Sequence, residues 1–390
     1  MTIGTLYARE QKQCMGAEAV YSDVLTDHPA IGHPVADLPT PAPVVDIDLL
    51  QSNIDRMAAF FQDRPARLRP HVKTHRAPAI ARMQVAAGAR GVTCAKVAMA
   101  EAMVAGGIDD VYVANQVVAR QAIDRLCLMA QRARVTVAVD DAGNVADLSN
   151  AAQAHGVTLN VVVEVDAGMG RCGVQPGGPA LELAQAVSRA PGLRFRGLHA
   201  YEGHVVQHED FAVRKLETER MLARTMETRD LLEQYGLEVA VVTVGGTGTY
   251  NISGVYPGVT EHQSGSYVYM DPSYQEKVPE FDLAFSVLCT VLSRPSPQKV
   301  ITDGGIQVLA RDHGTPAVAG HPELAYRGLS EEHGNFTVRE GCTTDLRIGD
   351  VVAVHPGHCC SAANLHDRVF AARRGVVEAV WLVTARGRSE

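Results

Sequence analysis

The pattern of apolar and polar positions changes character twice along this 390-residue chain. Residues 1–37 show no steady period, and Pro29, Gly32 and Pro34 interrupt whatever helix begins near Ala8. This stretch reads as an extension, packed on the body or partly disordered. From Pro41 a rhythm sets in. Apolar, β-branched runs occur at residues 44–47, 68–72, 92–95, 111–114, 135–139, 159–165, 195–198 and 239–244. Alanine- and leucine-rich segments with helical spacing separate most of them, as at 49–61, 98–105, 119–133 and 181–190. Parallel strands buried on both faces read as continuous apolar runs, with helices as crossovers. Eight such units predict a (β/α)₈ barrel over residues 38–271.

After Met270 the runs become short and alternating, at 285–292, 299–302, 337–338, 351–354, 368–371 and 376–383, with Gly, Pro and Asp turns between them. They predict a second, mainly antiparallel β domain over 272–390. The whole is an α/β chain in which the barrel comes first.

Composition narrows the options without choosing one. A net charge of −8 argues against non-specific nucleic-acid binding, which needs a basic surface. No apolar run approaches the roughly 20 residues of a membrane helix, and the N-terminus lacks a basic region followed by an apolar core. The eight cysteines are scattered, which fits free thiols in a reducing cytoplasm better than a disulfide framework.

Candidate chemistry clusters just after strand ends, where a barrel carries its active site. Arg69-Pro70-His71-Val72-Lys73-Thr74-His75 sets a lysine between two histidines. Nearby positive charge and burial would free its amine to attack a carbonyl, although lysines are more often solvated surface groups. Gly245-Gly246-Thr247-Gly248 follows the run expected to be the eighth barrel strand and offers backbone N–H groups to a phosphate, or is simply a tight turn. Asp166-Ala167-Gly168-Met169-Gly170-Arg171 follows the sixth run and brings an arginine over the same rim. A lysine, a phosphate cradle and an arginine together suggest pyridoxal phosphate. His358-Cys359-Cys360, in a turn of the second domain, can point two side chains at one ion and leave positions open, the catalytic rather than the structural arrangement.

These motifs resemble the alanine racemase-like, fold-type III pyridoxal-phosphate enzymes. They are most similar to the metal-activated branch that contains D-threonine aldolase, 3-hydroxy-D-aspartate aldolase and D-serine dehydratase. The matching stretches include Arg69-Pro70-His71-Val72-Lys73, Arg171-Cys172-Gly173-Val174, Gly245-Gly246-Thr247-Gly248, Gly265-Ser266-Tyr267, Pro356-Gly357-His358-Cys359 and Asn364-Leu365-His366-Asp367. The resemblance implies Lys73 as the Schiff-base lysine, Arg171 at the cofactor's phenolic oxygen and Tyr201 beside the cofactor. Gly246, Thr247, Gly248, Gly265 and Ser266 would grip the phosphate, and His358 and Cys360 would hold a divalent metal. The aldolases of the branch carry His-x-Asp where this chain carries His-x-Cys, as the dehydratases do. The softer sulfur moves the preference toward Zn²⁺, with Mn²⁺ or Mg²⁺ as alternatives. In the aldolases a histidine after the tyrosine acts as general base. His208 matches it, and His204 is the alternative because the segment here runs one residue longer.

The resemblance therefore implies a lyase acting on small D-3-hydroxy amino acids, as a cytoplasmic homodimer. Retro-aldol cleavage to glycine and an aldehyde is the first reading. Dehydration to a 2-oxo acid and ammonia is the second. An amino-acid racemase and a non-catalytic pyridoxal-phosphate carrier are more distant alternatives.

Overall fold

The computed structural model describes residues 23–390. Its centre is a barrel of eight short parallel strands. These are β3 (Arg67–Leu68), β4 (Val92–Cys94), β5 (Asp110–Gln116), β6 (Arg134–Val139), β7 (Leu159–Glu164), β8 (Leu193–His199), β9 (Val241–Val244) and β10 (Glu261–His262). They are hydrogen-bonded in the order β3-β10-β9-β8-β7-β6-β5-β4. Backbone bonds from Arg90 N to Leu68 O (2.9 Å), Thr93 N to Pro70 O (2.8 Å) and Val72 N to Thr93 O (2.9 Å) join β3 to β4 and close the ring. Helices such as Arg120–Ala130 and Gly178–Arg189 pack their apolar stripes on the outside of the strands.

The second sheet begins before the barrel does. β1 (Val24–Leu25) and β2 (Ala42–Asp46) join β11 (Phe285–Ser296), β12 (Lys299–Thr302), β13 (Ala317–Val318), β14 (Leu324–Leu329), β15 (Gly334–Val338), β16 (Val351–His355), β17 (Arg368–Arg373) and β18 (Val376–Leu382). The main path runs β1-β18-β17-β2-β11-β12-β15-β14, with β16 between β11 and β13. Every pairing is antiparallel except β2 with β17.

Two expectations need correction. The apolar run at 44–47 is not a barrel strand. It lies between β11 and β17, buried on both faces, which gives it the same continuous apolar look. The eighth barrel strand is instead β10, a Glu-His dipeptide with no apolar run to announce it. The lysine motif therefore follows the first barrel strand, the Asp166–Arg171 segment the fifth and the glycine run the seventh. The described part of the N-terminal extension packs on the second sheet through β1 and β18. The remainder of that extension, including Cys14, lies outside the described residues. Seven cysteines among the described residues are free thiols, and no described helix is long and apolar enough to cross a membrane.

Candidate active site

Strand β3 is short because the next residues are committed elsewhere. The Arg69 guanidinium is buried between Asp110 (2.7 Å) and Glu261 (3.0 Å), Pro70 has no N–H to donate, and His71 makes a single bridge to Thr93. The chain then turns at Val72, whose carbonyl accepts from the amides of His75 (3.2 Å) and Arg76 (2.8 Å). That turn delivers Lys73 into a cavity of about 630 Å³ at the C-terminal mouth of the barrel.

One wall of this cavity is made of two 3₁₀ turns, Thr247–Thr249 and Ser266–Val268. The first amides of such a turn have no intrahelical acceptor, so the turns present donors to the space in front of them. They are tied together by the Tyr267 amide, which donates to Thr247 Oγ1 (3.1 Å). Beneath them the buried Glu202 carboxylate accepts from Gly245 N (3.2 Å) and Thr249 Oγ1 (2.7 Å). Gly246, Thr247, Gly265 and Ser266 line the cavity. Gly248 lies behind them: a Cβ there would meet Val206 O at 1.7 Å, so its glycine serves close packing.

On the opposite wall, Asp166 Oδ1 accepts from the amides of Gly168 (3.1 Å) and Gly170 (2.9 Å) and folds residues 166–173 over the rim. Arg171 extends from this loop with its guanidinium 5.5 Å from the Tyr201 ring centre and 3.8 Å from Glu164. Burial pushes the Tyr201 phenol up to about 12, which keeps it neutral. The His199 imidazole lines the floor, and its buried Nδ1 has no hydrogen-bond partner.

The third wall comes from the second domain. Cys360 Sγ lies 3.2 Å from Thr74 Oγ1 and 3.6 Å from Ser266 Oγ. His358 Nδ1 pairs with Asp312, and the Ser361 hydroxyl lies 3.0 Å from the same nitrogen. The His313 ring packs 3.9 Å from that of His358, and Asp312, His313 and His358 bring their donor atoms within 4.8 Å of one another. Burial opposes charge on His358, yet the Cys360 sulfur and Asp312 carboxylate raise it to about 9. A hydrogen bond from Cys359, against the cost of burial, and the charges of His358 and Lys73 hold the Cys360 thiol well below its usual range.

Residues 45–272 match the family model for the alanine racemase N-terminal domain, and residues 284–372 match the putative serine dehydratase domain. The chain belongs to the alanine racemase-like family. It is 38% identical over 383 residues to a D-threonine aldolase from Arthrobacter sp., covering 96% of this chain and all of that one. It is 37% identical to a 3-hydroxy-D-aspartate aldolase from Paracoccus denitrificans (strain Pd 1222), again over 96% and 100% of the two chains. The crystal structure of D-threonine aldolase from Filomicrobium marinum superposes with a TM-score of 0.90 at 39% identity, over 92% of this chain and 99% of that one. A D-threo-3-hydroxyaspartate dehydratase from Delftia sp. (strain HT23) is 28% identical over 83% of this chain and 91% of that one.

The family implies pyridoxal phosphate, and the residues present fit it. The donors of the two 3₁₀ turns suit a phosphate, Lys73 suits an aldehyde, and the buried His199 Nδ1, 3.8 Å from Glu164, has no hydrogen-bond partner among the described residues. A divalent cation also fits the third wall. Asp312 occupies Nδ1 of His358, which leaves Nε2 as the nitrogen free to bind, with the Cys360 sulfur beside it.

Lys73, Arg171, Tyr201, Gly246, Thr247, Gly265, Ser266, His358 and Cys360 thus share one cavity. His208 does not. Its Nδ1 faces Asp210 O (3.3 Å) at the start of helix Phe211–Gln234, on the exposed side of the loop. His204, the alternative, lines the cavity. His366 is likewise turned away, with Nε2 bound to Val308 O (3.0 Å). Asp312 and His313 were not singled out from the sequence. The one local signal is a glycine beside each histidine, Gly314 after His313 and Gly357 before His358. Their backbones meet so closely that a Cβ on Gly314 would lie 2.1 Å from Gly357 O.

Proposed function

We propose that the protein is a pyridoxal-phosphate- and metal-dependent lyase that cleaves D-3-hydroxy amino acids between Cα and Cβ, giving glycine and an aldehyde. The observation that carries this reading is one cavity in which Lys73 and the His358–Cys360 pair face a common space, in a chain aligned almost end to end with aldolases.

Pyridoxal phosphate supplies the electron sink for the pair released at Cα, and a divalent cation supplies Lewis acidity toward the β-hydroxyl. The protein's own groups do the rest. The amides of Thr247 and Ser266 and the Ser266 hydroxyl would hold the phosphate, and Glu202 fixes the first turn from behind. Arg171, which lines the same cavity, would set a permanent positive charge beside the cofactor's phenolic oxygen. The Lys73 amine would hold the cofactor through its aldehyde, and the same side chain stands where it could carry a proton at the substrate's Cα. His204 takes the β-hydroxyl proton, since it and not His208 reaches the cavity. The 166–173 loop reaches the cavity through Arg171 and Cys172.

The ion is Zn²⁺ by preference, because Cys360 is a soft ligand, with Mn²⁺ or Mg²⁺ as the hard alternatives. A homodimer in the cytoplasm completes the proposal. The sulfur at position 360 also favours a second reading, dehydration. Incubating the purified protein with D-threonine decides between them. Glycine with acetaldehyde supports the aldolase; 2-oxobutanoate with ammonia replaces it with the dehydratase.

A further inference from the structure

The barrel has a second cavity, of about 360 Å³, at the opposite, N-terminal mouth. Its charge is lopsided. Arg69, Arg90, Arg134, Arg194 and Arg196 line it, against only Asp110 and Glu261. Three of the arginines are accounted for. Arg69 bridges both carboxylates, Arg90 lies 3.4 Å from Glu261, and Arg134 lies 2.9 Å from Asp110. The side chains of Arg194 and Arg196 have no ion-pair or hydrogen-bond partner among the described residues.

A break in strand alternation turns these two arginines inward. In β8, Phe195 pairs with Val161 and Gly197 with Val162, so Arg196 is the extra residue of a bulge. His199 and Gly197 follow the lumen side at the upper end of the strand. Unbroken alternation would then point Phe195 inward and both arginines out. The bulge shifts the phase. Phe195 packs on the outer core, and Arg194 and Arg196 line the lower mouth. Gly197 makes this geometry accessible: its φ is +143°, and a Cβ would lie 1.9 Å from Val241 O. A backbone conformation that excludes other residues is thus used to gather like charges. Arg194 is exposed and Arg196 half-buried, so both guanidinium groups stand at the mouth where an anion from solvent can reach them.

A second, independent observation points to a ligand. The Tyr112 side chain lines the same cavity, is 1% exposed, and its hydroxyl has no hydrogen-bond partner among the described residues. A buried hydroxyl without a partner is unusual in a folded protein. The side chains of Thr136, Thr158 and Asn160 complete a polar rim.

We propose that the N-terminal mouth of the barrel is a binding site for a small multivalent anion, a phosphorylated or polycarboxylate metabolite, held by Arg194, Arg196 and the Tyr112 hydroxyl. The excess of three positive charges over the two carboxylates matches a di- or trianion better than a monoanion. Arginine suits such a ligand because its planar fork donates two parallel bonds to phosphate or carboxylate. The Tyr112 ring also meets the His199 ring edge-on at 5.7 Å, so the lower site is in contact with the floor of the upper one.

The test is calorimetric titration of the pyridoxal-phosphate-loaded holoenzyme with inorganic pyrophosphate and, separately, with citrate. The bound cofactor occupies the upper phosphate cradle during the titration. Saturable binding of one anion per chain is expected, weakened at least about tenfold in R194A/R196A and weakened in Y112F. Pyrophosphate binding alone identifies a phosphorylated ligand, and citrate binding alone a polycarboxylate. Because the Arg194 and Arg196 side chains have no partners among the described residues, R196Q is a milder second variant. The anion should raise the melting temperature of wild type but not of R196Q. No saturable binding of either anion, or equal binding by the arginine variants, overturns the proposal. The lyase reading is tested by products, so either result can fail without the other.

Discussion

Arg69 and Lys73 are four residues apart on one stretch of chain, yet they serve opposite ends of the barrel in opposite ways. Arg69 looks toward the N-terminal mouth and is locked between two buried carboxylates. Lys73 looks into the C-terminal cavity beside the Cys360 sulfur, with no carboxylate bound to it among the described residues. One cation joins β3 to β5 and β10. The other is left free to react. A buried charge that is fully matched is structural, whereas one held beside open space is available for chemistry.

The contrast is sharpest if each cation is removed in turn. Lys73→Ala should lower turnover of D-threonine at least about 10⁴-fold and abolish the cofactor's absorbance on the protein, with a urea midpoint close to wild type. If substantial turnover survives, the amine is not the reacting group. Arg69→Met should do the reverse. It leaves Asp110 and Glu261 buried with less compensation and should cost about 3–5 kcal/mol of stability by denaturant titration, while folded protein still binds the cofactor. Normal stability with lost activity would place Arg69 with the chemistry instead. A smaller effect separates the two histidines of the upper loop. His204→Ala should reduce turnover about 10²-fold, and His208→Ala should leave it within a factor of a few, measured as acetaldehyde release. The opposite ranking would mean that the loop closes differently over bound substrate.

Much of this was legible in the sequence, for physical reasons that also explain what was not. Seven barrel strands declared themselves through short apolar runs, clearest where the strand is buried along most of its length, as in β4, β7 and β9. Strand β10 did not, since its two residues are spent on polar work: Glu261 pairs with Arg69, and His262 hydrogen-bonds Ser253 (2.9 Å) and Ser264 (3.1 Å). Strand β2 misled because burial between two neighbours looks the same in either sheet. Local motifs located Lys73, Arg171 and the glycine-rich turn, each of which acts through residues adjacent in sequence. The Asp312 and His313 contribution was hidden because it depends on a tertiary contact between loops more than 40 residues apart. Periodicity says nothing about such a contact. The choice between His204 and His208 was hidden for a related reason, since only the folded loop decides which ring turns inward.

The seam between Gly314 and Gly357 has a consequence of its own. Asp312 and His313 arrive on one side of it and His358 on the other, with the Ser273 hydroxyl bonded to Gly357 O (3.4 Å) at its edge. The whole hairpin of β14 and β15 lies in the stretch of chain that separates the two halves. Grafting a longer or shorter hairpin there should leave the wall intact, whereas a single added methyl group at either glycine would wedge it apart. The tolerance of this part of the molecule is set by the width of one carbon atom rather than by the length of the excursion.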